Sequence, residues 1–585
     1  MYLAQLQIKK FRTIEDIDLS FSKGVNILIG ENNAGKSSII DALRICLSYG
    51  SPWRDLSVDI SDFYIDRTNC NSQLGQLEFH LYFTITNEGE AGWFSDLYTV
   101  AEDGSEDLQL HFKFFIDEIN GVQKIRRRVW GGKNEGQQIA PEILDLFYYV
   151  YLEPLRDAVY HLRPVRGNKI GQLYMNLVTD DNKRNELSSK VRKALNEDVE
   201  WKEVIDDGRG KINTHLLQTS IKGKEQDVSL DFLPFEFRRI VENLKMQMPV
   251  FKSSVLNGEE SKQRFFELSQ NGLGYNNLIY TATILGHLKQ RAEVEPASYM
   301  ALLIEEPEAH LHPQLQNIFF KYLHTLNHEQ FQVFITSHSP TITAKADLDA
   351  LIILQNQENK VSSLPIIHSE LSQDNKKYLQ KFLDVTKSQL FFANGVILVE
   401  GVSEALLLPV FATIMGDEYD LNKAGIEIVN INGVAFEHFA KLFNNLNPLK
   451  RLHARCSILT DDDRADIQED QSPRAQNALD LESGVLKTFL GEVTFEYELF
   501  IAGSNKKILD DVFKNIKPRA AASIVTGSTI QTNALAFVDK VKNNKAKSEL
   551  AHQLALRLEE LQELRQNFTI PEYIQRAIKW VIKGE

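Results

Sequence analysis

Two groups of residues in this 585-residue chain have the types and spacing that phosphate chemistry needs. The first is Gly30-x4-Gly35-Lys36-Ser37, which follows the apolar run Val25 to Ile29 and opens a helical pattern. A glycine loop ahead of a helix N-terminus presents backbone N–H groups to phosphate. Gly30, Asn32, Asn33, Ala34, Gly35 and Ser38 are expected to form that cradle. Lys36 would reach the β- and γ-phosphates and Ser37 would ligate Mg²⁺. The expected cofactor is ATP with Mg²⁺.

The second group is acidic. Glu400 closes the apolar run GVILVE, and Glu404 follows at the mouth of a helical pattern. In CSILTDDDR, the apolar Ser457-Ile458-Leu459 leads into Asp461, Asp462 and Asp463. Crowded like charges need a counter-charge. Alternate residues of an extended turn point the same way. Asp461 and Asp463 are therefore expected to face Glu400 and Glu404, while Asp462 points elsewhere and tolerates Asn. Hard divalent cations such as Mg²⁺, Mn²⁺ or Ca²⁺ take oxygen ligands of this kind. Two ions roughly 3.5–4 Å apart suit in-line displacement at a phosphodiester. An isolated Asp-Asp-Asp is ordinarily a solvated acidic turn; the Glu-Gly-x-x-Glu partner is what argues for a site.

Other elements must position these groups. YMALLIEEPEAHLHP is an apolar strand ending in Glu305 and Glu306. Glu305 is expected to hold the Mg²⁺ shell, and Glu306 to orient or deprotonate the attacking water. FQVFITSHSP is a further strand with His338 just past its end. The chain is strand-like to about 165, polar and helical from 168 to about 250, then α/β again. A new α/β unit opens near 390, and SELAHQLALRLEELQELRQ reads as one amphipathic tail helix.

His338 resembles the switch histidine of ABC ATPases. Leu268-Ser269-Gln270-Asn271-Gly272 is similar to a degenerate ABC signature, whose Ser269 and Gly272 would clamp the nucleotide of an opposite subunit. The order of P-loop, signature, acidic strand and histidine strand resembles an ABC ATPase of the SMC/RecF kind. Glu305 stands where many such proteins have Asp. No glutamine stands out as the Q-loop residue, with Gln73 and Gln76 as the candidates. The Glu400/Glu404 and Asp461/Asp463 pairing resembles a Toprim domain. The two together, with EEPEAHLHP, EGVSE and TDDD, resemble the overcoming-lysogenisation-defect (OLD) family of ATP-coupled nucleases.

That resemblance implies an α/β fold: an SMC/RecF-like ABC ATPase domain with a helical dimerisation insert, followed by a C-terminal Toprim domain. The expected boundaries are 1–167 and 249–370 for the ATPase, 168–248 for the insert and 390–585 for Toprim. It also implies that Glu496, in VTFEYELF after a strand-like run, is a further metal-site acid. Lys547 would stabilise the pentacovalent phosphate. The implied activity is a metal-dependent DNA endonuclease or nickase under ATPase control, in defence against bacteriophage or mobile DNA. Implied partners are DNA, a second copy in a homodimer or larger assembly, and a further defence-system component. A RecF/SMC-like repair ATPase without cleavage is the alternative. So is a topoisomerase-like Toprim enzyme, which would need a nucleophile such as Tyr497.

Composition is that of an ordinary globular protein, 43% hydrophobic and 25% charged. Three scattered cysteines point to a reducing cytoplasm. No apolar run approaches the ~18 residues of a membrane span. The net charge of −15 argues against nucleic acid coating the whole surface but leaves room for a basic groove. KIRRRVW, Lys124 to Trp130, is one such patch, although a solvated strand face explains it equally well.

Overall fold

A computed structural model describes every residue except 51–55, 66–74, 101–103, 105, 120–121, 155–157, 223–225, 231–234, 250–264, 310, 327–330, 358–359, 465–470 and 525–526. Gln73 and Cys70 therefore lie outside the described residues.

The first strands are β1 (Tyr2–Phe11), β2 (Ile14–Ser20), β3 (Val25–Gly30), β4 (Gln76–Thr84), β5 (Tyr98–Val100), β6 (Glu106–Ile119) and β7 (Val122–Gly131). All but β3 join one antiparallel sheet, in the order β2-β1-β4-β6-β5 with β7 also paired to β6. Their alternation explains the arrangement. On β4, Leu77, Phe79, Leu81 and Phe83 are fully buried and the residues between them are not. One face therefore meets a core and the other meets solvent.

The next strands are β8 (Phe147–Leu152), the small hairpin β9 (Gln247–Pro249) and β10 (Phe265–Glu267), β11 (Tyr299–Glu305), β12 (Gln332–Ser337), β13 (Leu351–Gln357) and β14 (Lys360–Pro365). The β9-β10 pair stands apart; the others join β3 in a second sheet, β14-β13-β3-β12-β11-β8, parallel except for β14. Strands β3, β11 and β12 are buried at every residue. Such unbroken apolar runs mark parallel strands covered on both faces. The helix Lys36–Leu47 fills one face, packing Ile39, Ile40 and Leu43 into the core of the antiparallel sheet. The helix Leu273–Val294 covers the other face through Ile284 and Leu288.

Between them lies a helical stretch. Helix Lys169–Leu177 packs on Leu273–Val294. Helices Asp181–Asn196 and Val199–Thr219 follow, broken at Glu197–Asp198, where Asp198 caps the second. None of the described side chains of Val199–Thr219 is buried.

The last unit is a parallel sheet, β16-β15-β17-β18, of β15 (Gly395–Val399), β16 (Ile426–Asn430), β17 (Arg455–Asp461) and β18 (Leu486–Gly491). Helices Val402–Met415 and Lys547–Glu560 cover one face. The other face shares a continuous apolar cluster with the ATPase sheet, joining Val396, Leu398 and Ile458 to Leu351 and Ile353. The tail is two helices, Lys547–Glu560 and Gln562–Asn567, not one. VTFEYELF is not a strand either. Thr494 caps a helix, Phe495–Ile501, by accepting from Tyr497 N, and capping outweighed the β-branched and aromatic composition.

Candidate functional site

The P-loop runs from the end of β3 into the helix Lys36–Leu47. Gly30 has φ +148°, and a Cβ there would stand 2.4 Å from Leu354 O on the neighbouring strand. Only glycine allows that approach. Gly35 caps the helix at φ +86°, and Asn33 holds φ +65° in the loop. Asn32, Asn33 and Ser37 face solvent, whereas Ala34, Gly35 and Ser38 are buried. Lys36 Nζ donates to Gly30 O at 2.8 Å and Glu31 O at 2.6 Å. Burial pulls its ammonium down to about 8, against the opposing pull of Glu306, Glu308 and Glu31.

The topology explains how the acids reach this loop. Strand β12 lies between β3 and β11, so the ends of all three converge on the P-loop edge. Glu305 closes β11, is buried, and is hydrogen-bonded by Ser37 and by Tyr151 Oη at 3.2 Å. Burial and Asp41 push its carboxyl up, and its Oε1 has no hydrogen-bond partner among the described residues. A buried carboxylate oxygen left open beside a serine hydroxyl fits Mg²⁺. Glu306 sits at φ +41°, a left-handed turn that non-glycine residues rarely adopt. Its Oε1 lies 3.5 Å from His338 Nε2. Burial and Lys36 lower the His338 pKa.

Glu308 was not expected here. Its Oε1 accepts from Ser337 Oγ at 2.8 Å and His338 N at 2.9 Å, fixing the turn that presents His338. Its place as a third acid in EEPEAH was the available signal. Ser269 and Gly272 are exposed, in a 3₁₀ turn and at the N-cap of the helix Leu273–Val294. Gln76 begins β4 on the surface.

The second site lies at the carboxyl ends of β15 and β17, which pair in parallel. Glu400 follows β15, and Glu404 lies in the first turn of Val402–Met415. Glu400 Oε1 accepts from Asp461 N at 3.1 Å and from Thr460 Oγ1. Asp461 ends β17, is 8% exposed, and accepts from Phe495 N at 2.9 Å. Glu496 is buried in the same helix turn, and Lys547 Nζ pairs with it at 2.8 Å.

These acids feel one another. Burial, then Glu496 and Glu400, push Glu404 up to about 7. Burial and Glu400 raise Asp461 well above the usual carboxylate range. Glu496, Asp461 and Glu404 raise Lys547 against the effect of burial. An all-oxygen, buried, self-repelling donor set fits hard divalent cations.

Three features depart from the expected arrangement. The turn after β17 is not extended: Asp463 takes φ +55°. Arg474, on the helix Pro473–Leu479, donates to both Asp463 and Glu400. Asp462 is fully buried, accepts from Ser472 N at 2.8 Å, and lies 2.6 Å from Arg464 Nε. It does point elsewhere, but into structure rather than solvent. With Glu400, Asp463 and Glu496 each held by a basic side chain, no three His, Cys, Asp or Glu side chains among the described residues stand in a metal-holding geometry. No sequence pattern marks Arg474; only the fold brings it to Glu400.

Comparison with known proteins places both halves. The family description "AAA ATPase domain" matches residues 1–140 and 163–343, more than half the chain. "Overcoming lysogenization defect protein-like, TOPRIM domain" matches residues 391–463. The chain is 23% identical over 468 residues to Endonuclease GajA of Bacillus cereus (strain VD045), covering 76% of this chain and 73% of that protein. It is 25% identical over 507 residues to the Old nuclease of Escherichia phage P2, covering 78% of each. Among solved structures it matches an SmcHead bound to the C-winged helix domain of ScpA at 15% identity, 63% and 99% coverage and TM-score 0.38. The chain belongs to the AAA ATPase domain family, and its residues 391–463 match the OLD-like TOPRIM domain.

Proposed function

We propose that this chain is an ATP-hydrolysing, divalent-metal-dependent DNA endonuclease or nickase, with a role in defence against bacteriophage or mobile DNA. One observation carries the reading. Glu400, Glu404, Asp461 and Glu496 gather with Lys547 at the ends of two adjacent parallel strands, in a chain that also has a full P-loop. The relatives named Endonuclease GajA and Old nuclease support DNA as the substrate.

When bound, two divalent ions supply an activated water and a stabilised leaving oxygen. Glu400, Glu404, Asp461, Asp463 and Glu496 would hold them. Lys547, aimed by Glu496, carries positive charge to the scissile phosphate. Arg474 neutralises Glu400 and Asp463. In the ATPase half, Ser37 and Glu305 would hold Mg²⁺, Glu306 orients the attacking water, and His338 contacts the γ-phosphate. Exposed Ser269 and Gly272 suit the nucleotide of a second copy, which makes a homodimer the working unit. Among the described residues no helix is long and apolar enough to cross a membrane; a cytoplasmic location rests on the three scattered cysteines.

A topoisomerase reading fails on Tyr497, which is 1% exposed and packed in the core. The test is purified protein on supercoiled plasmid across Mg²⁺, Mn²⁺ and Ca²⁺, with and without ATP. Nicked or linear product is expected. Intact plasmid under every condition would refute the nuclease assignment and favour a RecF-like ATPase.

A further inference from the structure

Tyr573 is the second residue of the helix Glu572–Lys583. Ile574, Ala577, Ile578 and Val581 recur at helical spacing and are buried, which lays that helix across β17 and β18. Trp580 Nε1 pins its later turns by donating to Cys456 O at 3.1 Å. Cys456 lies near the start of β17. The first turn of the helix therefore falls at the other end of that strand, where Asp461 pairs with Gly491 of β18.

Gly491 leaves a niche there. A Cβ on it would meet Asp461 Oδ1 at 3.0 Å, and both Tyr573 Oη and Glu498 Cγ at 3.3 Å. Asp461 Oδ2 is already held by Phe495 N at 2.9 Å, so Oδ1 is the oxygen that faces the niche with the tyrosine.

The Tyr573 ring is partly buried against the core of this unit. Its Oη is fully buried and has no hydrogen-bond partner among the described residues. A buried hydroxyl left unpaired is destabilising and calls for a reason. Burial, then Asp461, Glu498, Glu404 and Glu496, hold its pKa well above the ordinary value, so the hydroxyl keeps its proton. It is a donor among acceptors. Those acceptors are not equivalent. Glu496 is engaged by Lys547 at 2.8 Å, and Glu498 accepts from Glu492 N at 2.9 Å. Asp461 Oδ1 is the oxygen that shares the niche.

Carboxylates that ligate metal are themselves oriented by hydrogen bonds, and those partners set metal affinity. We propose that Tyr573 is a positioning residue, whose hydroxyl donates to Asp461 Oδ1 in the metal-loaded protein and fixes the orientation of that carboxylate. Its buried Oη does not reach DNA. Tyr573 has this role only if Glu400, Glu404 and Asp461 hold divalent ions as proposed above.

The experiment is Tyr573→Phe in the full chain, which keeps the ring and removes one oxygen. Nucleotide-free protein is titrated calorimetrically with Mn²⁺, and Glu400→Ala identifies the share of binding that belongs to the Toprim site. Tyr573→Phe should bind that Mn²⁺ about tenfold more weakly than wild type, or worse, as loss of such a partner generally does. Without metal its urea midpoint should be unchanged or higher, because the oxygen removed had no partner. ATP hydrolysis should be unchanged. Mn²⁺ affinity equal to wild type, with Glu400-dependent binding intact, would overturn the role of Tyr573 and leave the metal site standing. A wild type without Glu400-dependent Mn²⁺ binding would overturn both. A lowered midpoint in metal-free Tyr573→Phe would make the hydroxyl structural and also overturn the proposal.

Discussion

Lys547 Nζ stands 2.8 Å from Glu496 Oε2, joining the first residue of one helix to a buried acid in another. Lys547→Met therefore removes two things, the cation proposed for the scissile phosphate and the partner of a buried carboxylate. Loss of one such electrostatic donor typically costs about 10²–10³ in rate. Plasmid cleavage should fall by that order while ATP hydrolysis persists, and Lys547→Arg should recover part of it. Wild-type cleavage by the Met variant would remove Lys547 from the chemistry.

Glu400→Ala and Asp461→Ala should each abolish cleavage in Mg²⁺ or Mn²⁺ and leave ATP turnover intact. The two acids lie in the Toprim half, remote in sequence from the P-loop, and Glu400 accepts from the Asp461 backbone. Cleavage that survives in both variants means the metal assignment is wrong.

Lys36→Ala should eliminate ATP hydrolysis in a phosphate-release assay. Its ammonium is buried in the loop, bonded to Gly30 O and Glu31 O. Its effect on cleavage reports whether nucleotide activates or restrains the nuclease.

Asp462→Asn tests a revised role. The side chain is fully buried between Ser472 N and Arg464. Removing its charge should destabilise the Toprim unit by about 1–3 kcal/mol, the range for disturbing a buried charged hydrogen bond. A lower urea midpoint is expected, with reduced rather than abolished cleavage. An unchanged midpoint would restore the picture of a tolerant surface acid.

His287 makes stability depend on pH. Its folded pKa, about 4, lies below the ordinary 6.5 because burial, Lys169 and Arg291 disfavour the charged form. The unfolded chain therefore binds a proton first as pH falls. The contribution is fully present above pH 6.5 and is lost progressively toward pH 4, by up to about 3 kcal/mol. His287→Gln should flatten the fall in urea midpoint across that window relative to wild type. Parallel curves would contradict the assignment.

The sequence by itself determined the local pieces. Apolar runs of the right length fixed β3, β11, β12, β15 and β17, and placed Glu305, Glu400 and Asp461 at strand ends and Lys36 at the start of the helix after β3. Glycine at Gly30 and Gly35 announced the loop because few other residues reach those angles. Such features depend on neighbours a few positions away, so a linear reading finds them. The tertiary structure decided who meets whom. Arg474 reaches Glu400 across 74 positions, and Glu308 fixes the His338 turn across 30. Asp463 sits at a left-handed dihedral, which period-2 alternation does not encode. Asp462 became an internal ion-pair partner because the chain folds back over it, placing Arg464 and Ser472 against a side chain that looked free. Charge pairing between distant segments follows packing, and packing is a property of the whole chain.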